Sequence, residues 1–484
     1  MRSFRMKKYN LDYSAKTRPF PHQLEAILHI QTHDEVALFD EQGLGKTKMV
    51  IDALCNNMAE GSLDGAIIIC RKHLLGTWQD EIERHSHVRS VILRGTPAAK
   101  GRRFLSYAPF YLINYEATFR EVERLKALMS IRKMALVLDE SHAVKNPDTV
   151  TARTILGLRD SARKRIIITG TPVANRPLDL WAQYYFLDGG QLLGTSFDDF
   201  RKRYAPDYTG NRLQSQEDRF AELRHVVNAN SVRRMKDDVL ELPEKTFVDI
   251  PVSMEKRQQA MYDQLRKELR LTVMNMDGEA EIDEANDLFK RLLRLVQVAS
   301  NPRLVDPSYD ATPAKFVALD TLVRQIADRG EKVIVWSSFV DNVRSLRRRY
   351  ADLGAVVIYG SVSMDDRRRV VRRFMDDAET RVLVANPAAA REGLTLTSAN
   401  NAVYLDRSFN MVDYLQSQDR IHRISQTKPC TIYKLLAKGT IDEYVDELLY
   451  KKHKLAGFLQ GDAGSLASPR QFLTKAQLLE MLGS

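Results

Sequence analysis

The stretch Asp40-Glu41-Gln42-Gly43-Leu44-Gly45-Lys46-Thr47 decides how this chain is read. It lies between a short apolar run, Val36-Ala37-Leu38-Phe39, and a segment of helical spacing from Met49 to Met58. The order is therefore strand, glycine-rich turn, helix, which is the context a phosphate loop requires. Glycines let backbone N–H groups close around phosphate oxygens, and the helix N-terminus adds its positive end. In that reading Gly43, Leu44 and Gly45 form the cradle, Lys46 reaches the outer phosphates, and Thr47 places a hydroxyl on Mg²⁺. The general pattern asks for Gly where this chain has Asp40, so the stretch alone also fits a turn that merely tightens the passage from strand to helix.

Working outward, the apolar runs Ala66–Cys70, Ser90–Leu93, Pro109–Ile113, Met134–Leu138 and Arg165–Ile168 alternate with helical patterns. Short buried-type strands alternating with helices predict a parallel, doubly wound sheet. Such sheets bind ligands at the carboxyl ends of their strands. Asp139-Glu140-Ser141-His142 stands at one of those ends. Asp139 there suits a water-mediated hold on Mg²⁺ and Glu140 the placing or deprotonation of an attacking water, because phosphoryl transfer needs charge neutralisation and a positioned nucleophile. An acidic helix N-terminus is the plainer explanation of the same pair. Thr169-Gly170-Thr171-Pro172 follows its strand in the same way. Ahead of the phosphate loop, Gln23 on an amphipathic helix can bond a purine edge or simply face solvent.

From about Asp188 to Asn301 the pattern changes to helices and polar turns, with a basic segment, Arg233-Arg234-Met235-Lys236, and an acidic stretch, Asp277–Asp287, expected as a mobile loop. A second strand and helix alternation follows: Lys332–Trp336, Ala355–Ile358, Arg381–Ala385, Asn401–Leu405 and Thr431–Leu435. The expected division is a basic segment over 1–20, a first lobe over 21–190, helical insertions and a crossing segment over 191–312, a second lobe over 313–460, and a tail helix over 461–484. Gln416, Arg420, Arg423 and Gln426 recur at i, i+4, i+7 and i+10, the spacing of one helix face. Two arginines on such a face are what stabilising a transferring phosphoryl group requires; a solvated arginine face is the alternative.

The 484 residues are 44% hydrophobic and 28% charged, as in ordinary soluble chains. No segment approaches the roughly 18 uninterrupted apolar residues of a membrane span. Together with an N-terminus that lacks a signal-peptide core, this predicts a cytoplasmic protein. Cys55, Cys70 and Cys430 lie far apart without metal-ligand spacing, which argues against a zinc site or a disulfide framework. A net charge of +10 favours a polyanionic partner.

From about Pro21 to Leu449 these residues resemble the ATPase motor of the Swi/Snf-type branch of superfamily-two helicase-like proteins. The resemblance rests on the Asp-Glu-x-Gly-Leu-Gly-Lys-Thr loop, which accounts for Asp40, and on Trp78, Asn114-Tyr115-Glu116 and Asp139 to His142. It extends through Thr169 to Asn175, Arg233 to Lys236, Leu242-Pro243, Tyr359-Gly360-Ser361, Gly393-Leu394 and Asp419 to Gln426. Arg71, Thr395 and Phe409-Asn410-Met411 depart from the branch pattern. The resemblance implies two RecA-like parallel-sheet lobes with helical insertions, ATP and Mg²⁺ as cofactors, and double-stranded DNA as partner. It implies a monomer that acts as a DNA-stimulated ATPase and translocates on duplex DNA without extensive strand separation, with a protein partner that sets the target. By the same resemblance, Lys46, Asp139, Glu140, Arg420 and Arg423 are catalytic, Thr47 and Asp139 hold Mg²⁺, and Gln23, Gly393 and Gln416 face the nucleotide. Thr171, Asn175, Arg233, Arg234, Lys236, Arg367 and Thr397 are the expected nucleic-acid contacts. A branch-migrating or annealing helicase and an ATP-gated clamp with little turnover are the alternatives. The chain resembles a minimal bacterial or phage member.

Overall fold

The computed structural model describes residues 11–174, 176–205, 213–274, 282–391, 394–423, 425–462, 479, 482 and 483, with backbone alone for 213–217, 282–287, 364, 390 and 391. The chain divides into two compact units. The first takes the described residues within Met1–Ala205, Gln214–Val239 and Ala456–Gly464; the second takes those within Leu240–Leu455 and near the C-terminus. The stretch expected as one insertional region, 191–312, contributes to both.

In the first unit six strands form one parallel sheet: β1 (Glu35–Leu38), β2 (Gly65–Cys70), β3 (Ser90–Ile92), β4 (Phe110–Asn114), β5 (Met134–Asp139) and β6 (Lys164–Ile168), in the order β1-β6-β5-β2-β4-β3. Their central residues are apolar because helices cover both faces, with polar residues confined to strand ends; every residue of β2 is buried. Beyond β1, the segment at Val232 adds a short parallel bridge, with Phe39 N donating to Val232 O at 2.8 Å and Val232 N to Ala37 O at 2.8 Å.

The second unit repeats the plan with β7 (Lys245–Val252), β8 (Val333–Trp336), β9 (Val356–Ile358), β10 (Val382–Ala385), β11 (Asn401–Tyr404) and β12 (Cys430–Ala437), in the order β7-β12-β11-β8-β10-β9. Successive residues of β8 feed opposite cores. Val333 and Val335 pack with Leu319, Val323 and Leu346, while Ile334 and Trp336 pack with Phe374 and Ile432. The two sheets and their covering helices are RecA-like lobes.

Three details differ from the sequence reading. The helical region Asp188–Asn301 contains a strand, β7, which pairs with β12 over eight residues. Strand β7 lies at the sheet edge and is largely exposed, so it carries Asp249 and Pro251, residues that a central strand would exclude. The acidic stretch is helical from Ile282, where a 19-residue helix begins; residues 277–281 lie outside the described residues. The helix bearing Gln416 runs only over Met411–Gln418, so Gln416, Arg420, Arg423 and Gln426 do not share one continuous helix. The Arg420 carbonyl instead accepts from Leu396 N at 2.9 Å, which takes it out of the helical ladder. The expected tail helix over 461–484 falls almost wholly outside the described residues.

Candidate active site

The loop after β1 needs its glycines for conformation and for space. Gly43 and Gly45 adopt φ of 92° and 83°, the left-handed region in which a Cβ is costly. At Gly45 a Cβ would also fall 2.3 Å from Gln23 Nε2. The helix Lys46–Ala59 starts directly behind Gly45, so its first N–H groups face the loop. Lys46 Nζ donates to Asp40 O at 2.7 Å and Glu41 O at 3.0 Å, which holds the ammonium inside the curve of the loop. Burial pulls that ammonium below its ordinary pKa, and the carboxylates of Asp40, Glu140 and Asp139 oppose the shift. An incoming phosphate would compete with the two carbonyls for this cation.

Gln23 is 4% exposed, and its amide is already engaged: Oε1 accepts from Phe20 N at 2.9 Å and Nε2 donates to Leu44 O at 3.1 Å. The structure therefore places Gln23 as a brace of the phosphate loop, with both ends of its amide occupied within the chain.

The unusual Asp40 has a physical explanation. Its carboxylate is fully buried and accepts from Arg234 Nε at 3.1 Å and Nη2 at 2.7 Å. Arg234 Nη1 donates to His22 O, and Arg234 O accepts from Glu41 N at 2.9 Å. Lys236 N donates to Glu41 Oε2 at 2.7 Å. Arg233 pairs with Asp462 at 2.6 Å and donates to the carbonyls of Phe39 and Gly170. These side chains were expected to contact DNA phosphates. All three are instead engaged at the phosphate loop: Arg234 is bidentate on the buried Asp40 and cannot leave without stranding that charge, Arg233 holds the Phe39 and Gly170 carbonyls, and Lys236 Nζ lies 3.6 Å from the Glu41 carboxylate. Arg367 is similar. It is 6% exposed and donates from Nε to Val362 O at 2.9 Å and from Nη2 to Tyr359 O and Gly360 O, both at 3.1 Å.

At the end of β5, Asp139 Oδ2 accepts the Trp78 indole N–H at 2.7 Å, and Asp139 O accepts the Tyr115 hydroxyl at 2.8 Å. Burial and then the adjacent Glu140 carboxylate push the Asp139 carboxyl up to about 7, against the pull of the Trp78 bond and Lys46. Among the described residues Glu140 is the one non-glycine with positive φ, at 53°. Such a conformation persists only where its surroundings impose it. Here Thr169 Oγ1 donates to Glu140 Oε2 at 3.3 Å, and His142 Nδ1 lies 3.3 Å from the same oxygen. A half-buried carboxylate whose charge acts on Lys46, at the start of the helix that also carries the Thr47 hydroxyl, is a hard-oxygen donor set. It fits Mg²⁺, which takes one or two protein oxygens and completes its shell with water and substrate phosphates.

Thr171 is 7% exposed and its amide donates to Thr169 Oγ1 at 3.1 Å; among the described residues its own hydroxyl has no hydrogen-bond partner. Asn175 and Gly393 lie outside the described residues. In the second unit, Arg420 is 2% exposed and donates from Nε to Gln416 O at 2.8 Å, while Gln416 itself is buried. Arg423 is half-buried and donates from Nε to Asp419 O at 2.8 Å and from Nη1 to Thr395 Oγ1 at 3.1 Å. Gln426 braces the backbone, donating to Ala399 O at 3.0 Å and Ile421 O at 2.9 Å. Thr397 Oγ1 lies 3.1 Å from Ser425 Oγ.

One residue that sequence reasoning missed is Gln183, fully buried and bonded to both Ser141 and Pro172. The available signal was a lone amide inside the apolar run Trp181–Phe186.

The SNF2-related domain matches residues 22–304 and the helicase conserved C-terminal domain matches residues 314–425. YwqA of Bacillus subtilis (strain 168), which carries the provisional name ATP-dependent helicase/translocase, is 28% identical over 433 residues, covering 86% of this chain and 46% of that protein. Transcription regulatory protein SNF2 of Saccharomyces cerevisiae is 25% identical over 446 residues, covering 87% of this chain and 26% of its own length. The chain thus spans less than half the length of these relatives. The solved SWI2/SNF2 ATPase core of Sulfolobus solfataricus in complex with dsDNA aligns over 94% of this chain and 95% of that one, with 26% identity and a TM-score of 0.45. With both domains matched in order, and with a phosphate loop and an Asp-Glu pair at the carboxyl ends of one parallel sheet, the chain belongs to the SNF2-related family of helicase-like ATPases.

Proposed function

We propose that this chain hydrolyses ATP to translocate along double-stranded DNA and to displace or remodel what is bound there, without extensive strand separation. The observation that carries the reading is the joint placement of the Lys46 loop and the Asp139–Glu140 pair at the carboxyl ends of one sheet. Lys46 and the N–H groups behind Gly45 bind the phosphates. Glu140, held by Thr169, is aimed to orient the attacking water and take its proton. Mg²⁺, held by Thr47 and Asp139, would neutralise charge on the phosphates. Arg420 and Arg423 supply guanidinium charge to the transferring phosphoryl group, with Gly393 and Gln416 beside the nucleotide. Thr171, Asn175 and Thr397 remain the residues proposed toward DNA.

Double-stranded DNA as the partner is supported by the net charge of +10 and by membership in a family whose named relatives include chromatin-remodelling ATPases. Tracking by backbone contacts makes motion independent of base sequence. A monomer acting with a protein partner in the cytoplasm completes the proposal. Among the described residues, no helix is long and apolar enough to cross a membrane.

Two assays run side by side test it. ATP-dependent displacement of a third strand from a triplex requires only translocation, while release of a strand from a forked duplex requires unwinding. Activity in the first and little in the second is expected. Efficient fork unwinding without triplex displacement would promote a branch-migrating helicase, and DNA binding gated by ATP without turnover would promote a clamp.

A further inference from the structure

The Gln183 amide joins two loops that carry different parts of the proposed activity. Ser141 Oγ donates to Gln183 Oε1 at 2.6 Å, and Gln183 Nε2 donates to Pro172 O at 2.8 Å and Asp179 O at 2.7 Å. Ser141 and Gln183 are fully buried and Asp179 is 1% exposed, so water does not substitute for these partners. The amide has one satisfactory orientation, because the reverse would set its oxygen against two carbonyl oxygens. Ser141 follows Glu140 directly, and Pro172 follows Thr171 directly. A second line runs in parallel: Thr171 N donates to Thr169 Oγ1, which donates to Glu140 Oε2. The strained Glu140 backbone therefore sits between two hydrogen-bonded ties to the loop after β6.

We infer that Gln183 is a positioning residue: it fixes the catalytic carboxylate of Glu140 relative to the loop 169–174, so that a displacement of that loop changes how well Glu140 is aimed. The inference rests on the proposed DNA-stimulated hydrolysis, with the loop after β6 as the part that responds to DNA. An apolar side chain in this helix, Trp181–Asp188, would satisfy packing equally well. Replacing a buried hydrogen-bonded group by an apolar one of similar shape is close to neutral when its partners are also relieved. What the amide adds is a fixed distance between Ser141 and Pro172, and misplacement of a reacting group by about 1 Å costs on the order of 100-fold in rate.

The test compares Gln183→Leu, Ser141→Ala and the double variant. The measurements are kcat with saturating duplex DNA, KM for ATP, the half-saturating DNA concentration and the melting temperature. Each single variant is expected to lower the DNA-stimulated kcat by about 10- to 100-fold, with KM for ATP and half-saturating DNA close to the parent and a lowered melting temperature, because each leaves a buried polar atom without its partner. The double variant is expected to be no slower than the slower single variant, because both remove one link. An unchanged kcat in either single variant overturns the inference. So do losses that multiply in the double variant, or a rise in KM for ATP and in the half-saturating DNA concentration together with the fall in kcat. If Gln183→Leu does not fold, Ser141→Ala alone must show the kcat loss. A parent protein whose turnover ignores duplex DNA would refute the functional reading itself, whereas normal stimulation in both parent and variants refutes only the role of Gln183.

Discussion

Two aspartates stand at the carboxyl ends of the two parallel sheets, Asp406 buried and Asp139 half-buried, and their surroundings differ in kind. Asp406, just past β11, accepts from Ser300 Oγ at 2.8 Å, Ser337 Oγ at 2.6 Å, Ser338 N at 2.6 Å and Asn342 Nδ2 at 3.3 Å. It ties together elements of the second unit. Asp139, at the end of β5, receives the Trp78 indole and has the Glu140 carboxylate beside it, so burial and repulsion push it toward the protonated form. One carboxylate is surrounded by donors and serves structure. The other is held in a setting that favours a cation, and the Lys46 ammonium, itself destabilised by burial, lies in the same electrostatic neighbourhood. Polar satisfaction, rather than residue type, separates the architectural site from the chemical one.

The largest effect should come from removing a guanidinium proposed to act only in the transition state. Arg423→Ala is expected to bind ATP nearly as the parent does and to lose roughly 10³ to 10⁵ in turnover. Single-turnover hydrolysis and nucleotide titration separate the two. A collapse of ATP affinity with surviving turnover of bound ATP would remove Arg423 from the transition state.

The comparison of the aspartates breaks or stands on stability. The folded-state pKa of Asp139 is raised, so the folded protein binds this proton more tightly than the unfolded chain does. Its destabilising cost is absent below the ordinary carboxylate range, grows as pH rises toward 7, and is complete above it. Asp139→Asn should therefore abolish hydrolysis yet stabilise the metal-free protein at pH 8, by roughly 2 to 4 kcal/mol, with little change at pH 4. Asp406→Ala should do the opposite, costing about 2 to 4 kcal/mol by stranding buried donors. Thermal melts of both variants across pH decide it; shifts of the same sign would show that the two carboxylates do not differ in role.

The smallest effect concerns the arginines reassigned to internal partners. Neutralising Arg233 or Arg367 should leave the slope of log affinity for duplex DNA against log salt unchanged. A fall of about one unit per residue would restore them as phosphate contacts.

Much of this architecture was legible in the sequence because central parallel strands are apolar on both faces. Ile67-Ile68-Ile69 and Leu136-Val137-Leu138 can hardly be read otherwise. Strand β7 was not, since an exposed edge strand tolerates the charge and proline of a loop. The phosphate loop was legible from its glycines and lysine, whereas the partner of Asp40 was not: Arg234 is 194 residues away, and only the fold brings the pair together. Arg420 and Arg423 show the reverse failure. Their spacing suits a helix, but a non-local bond from Leu396 ends the ladder before them. Gln183 escaped because one amide in an apolar run carries no motif.

The most direct test of the central claim is steady-state phosphate release by the purified chain, with and without duplex DNA, for the parent and for Glu140→Gln. Duplex DNA is expected to stimulate hydrolysis several-fold in the parent, and hydrolysis is expected to fall to background in Glu140→Gln under both conditions, with ATP still bound. Turnover indifferent to duplex DNA, or undiminished in Glu140→Gln, would contradict that claim.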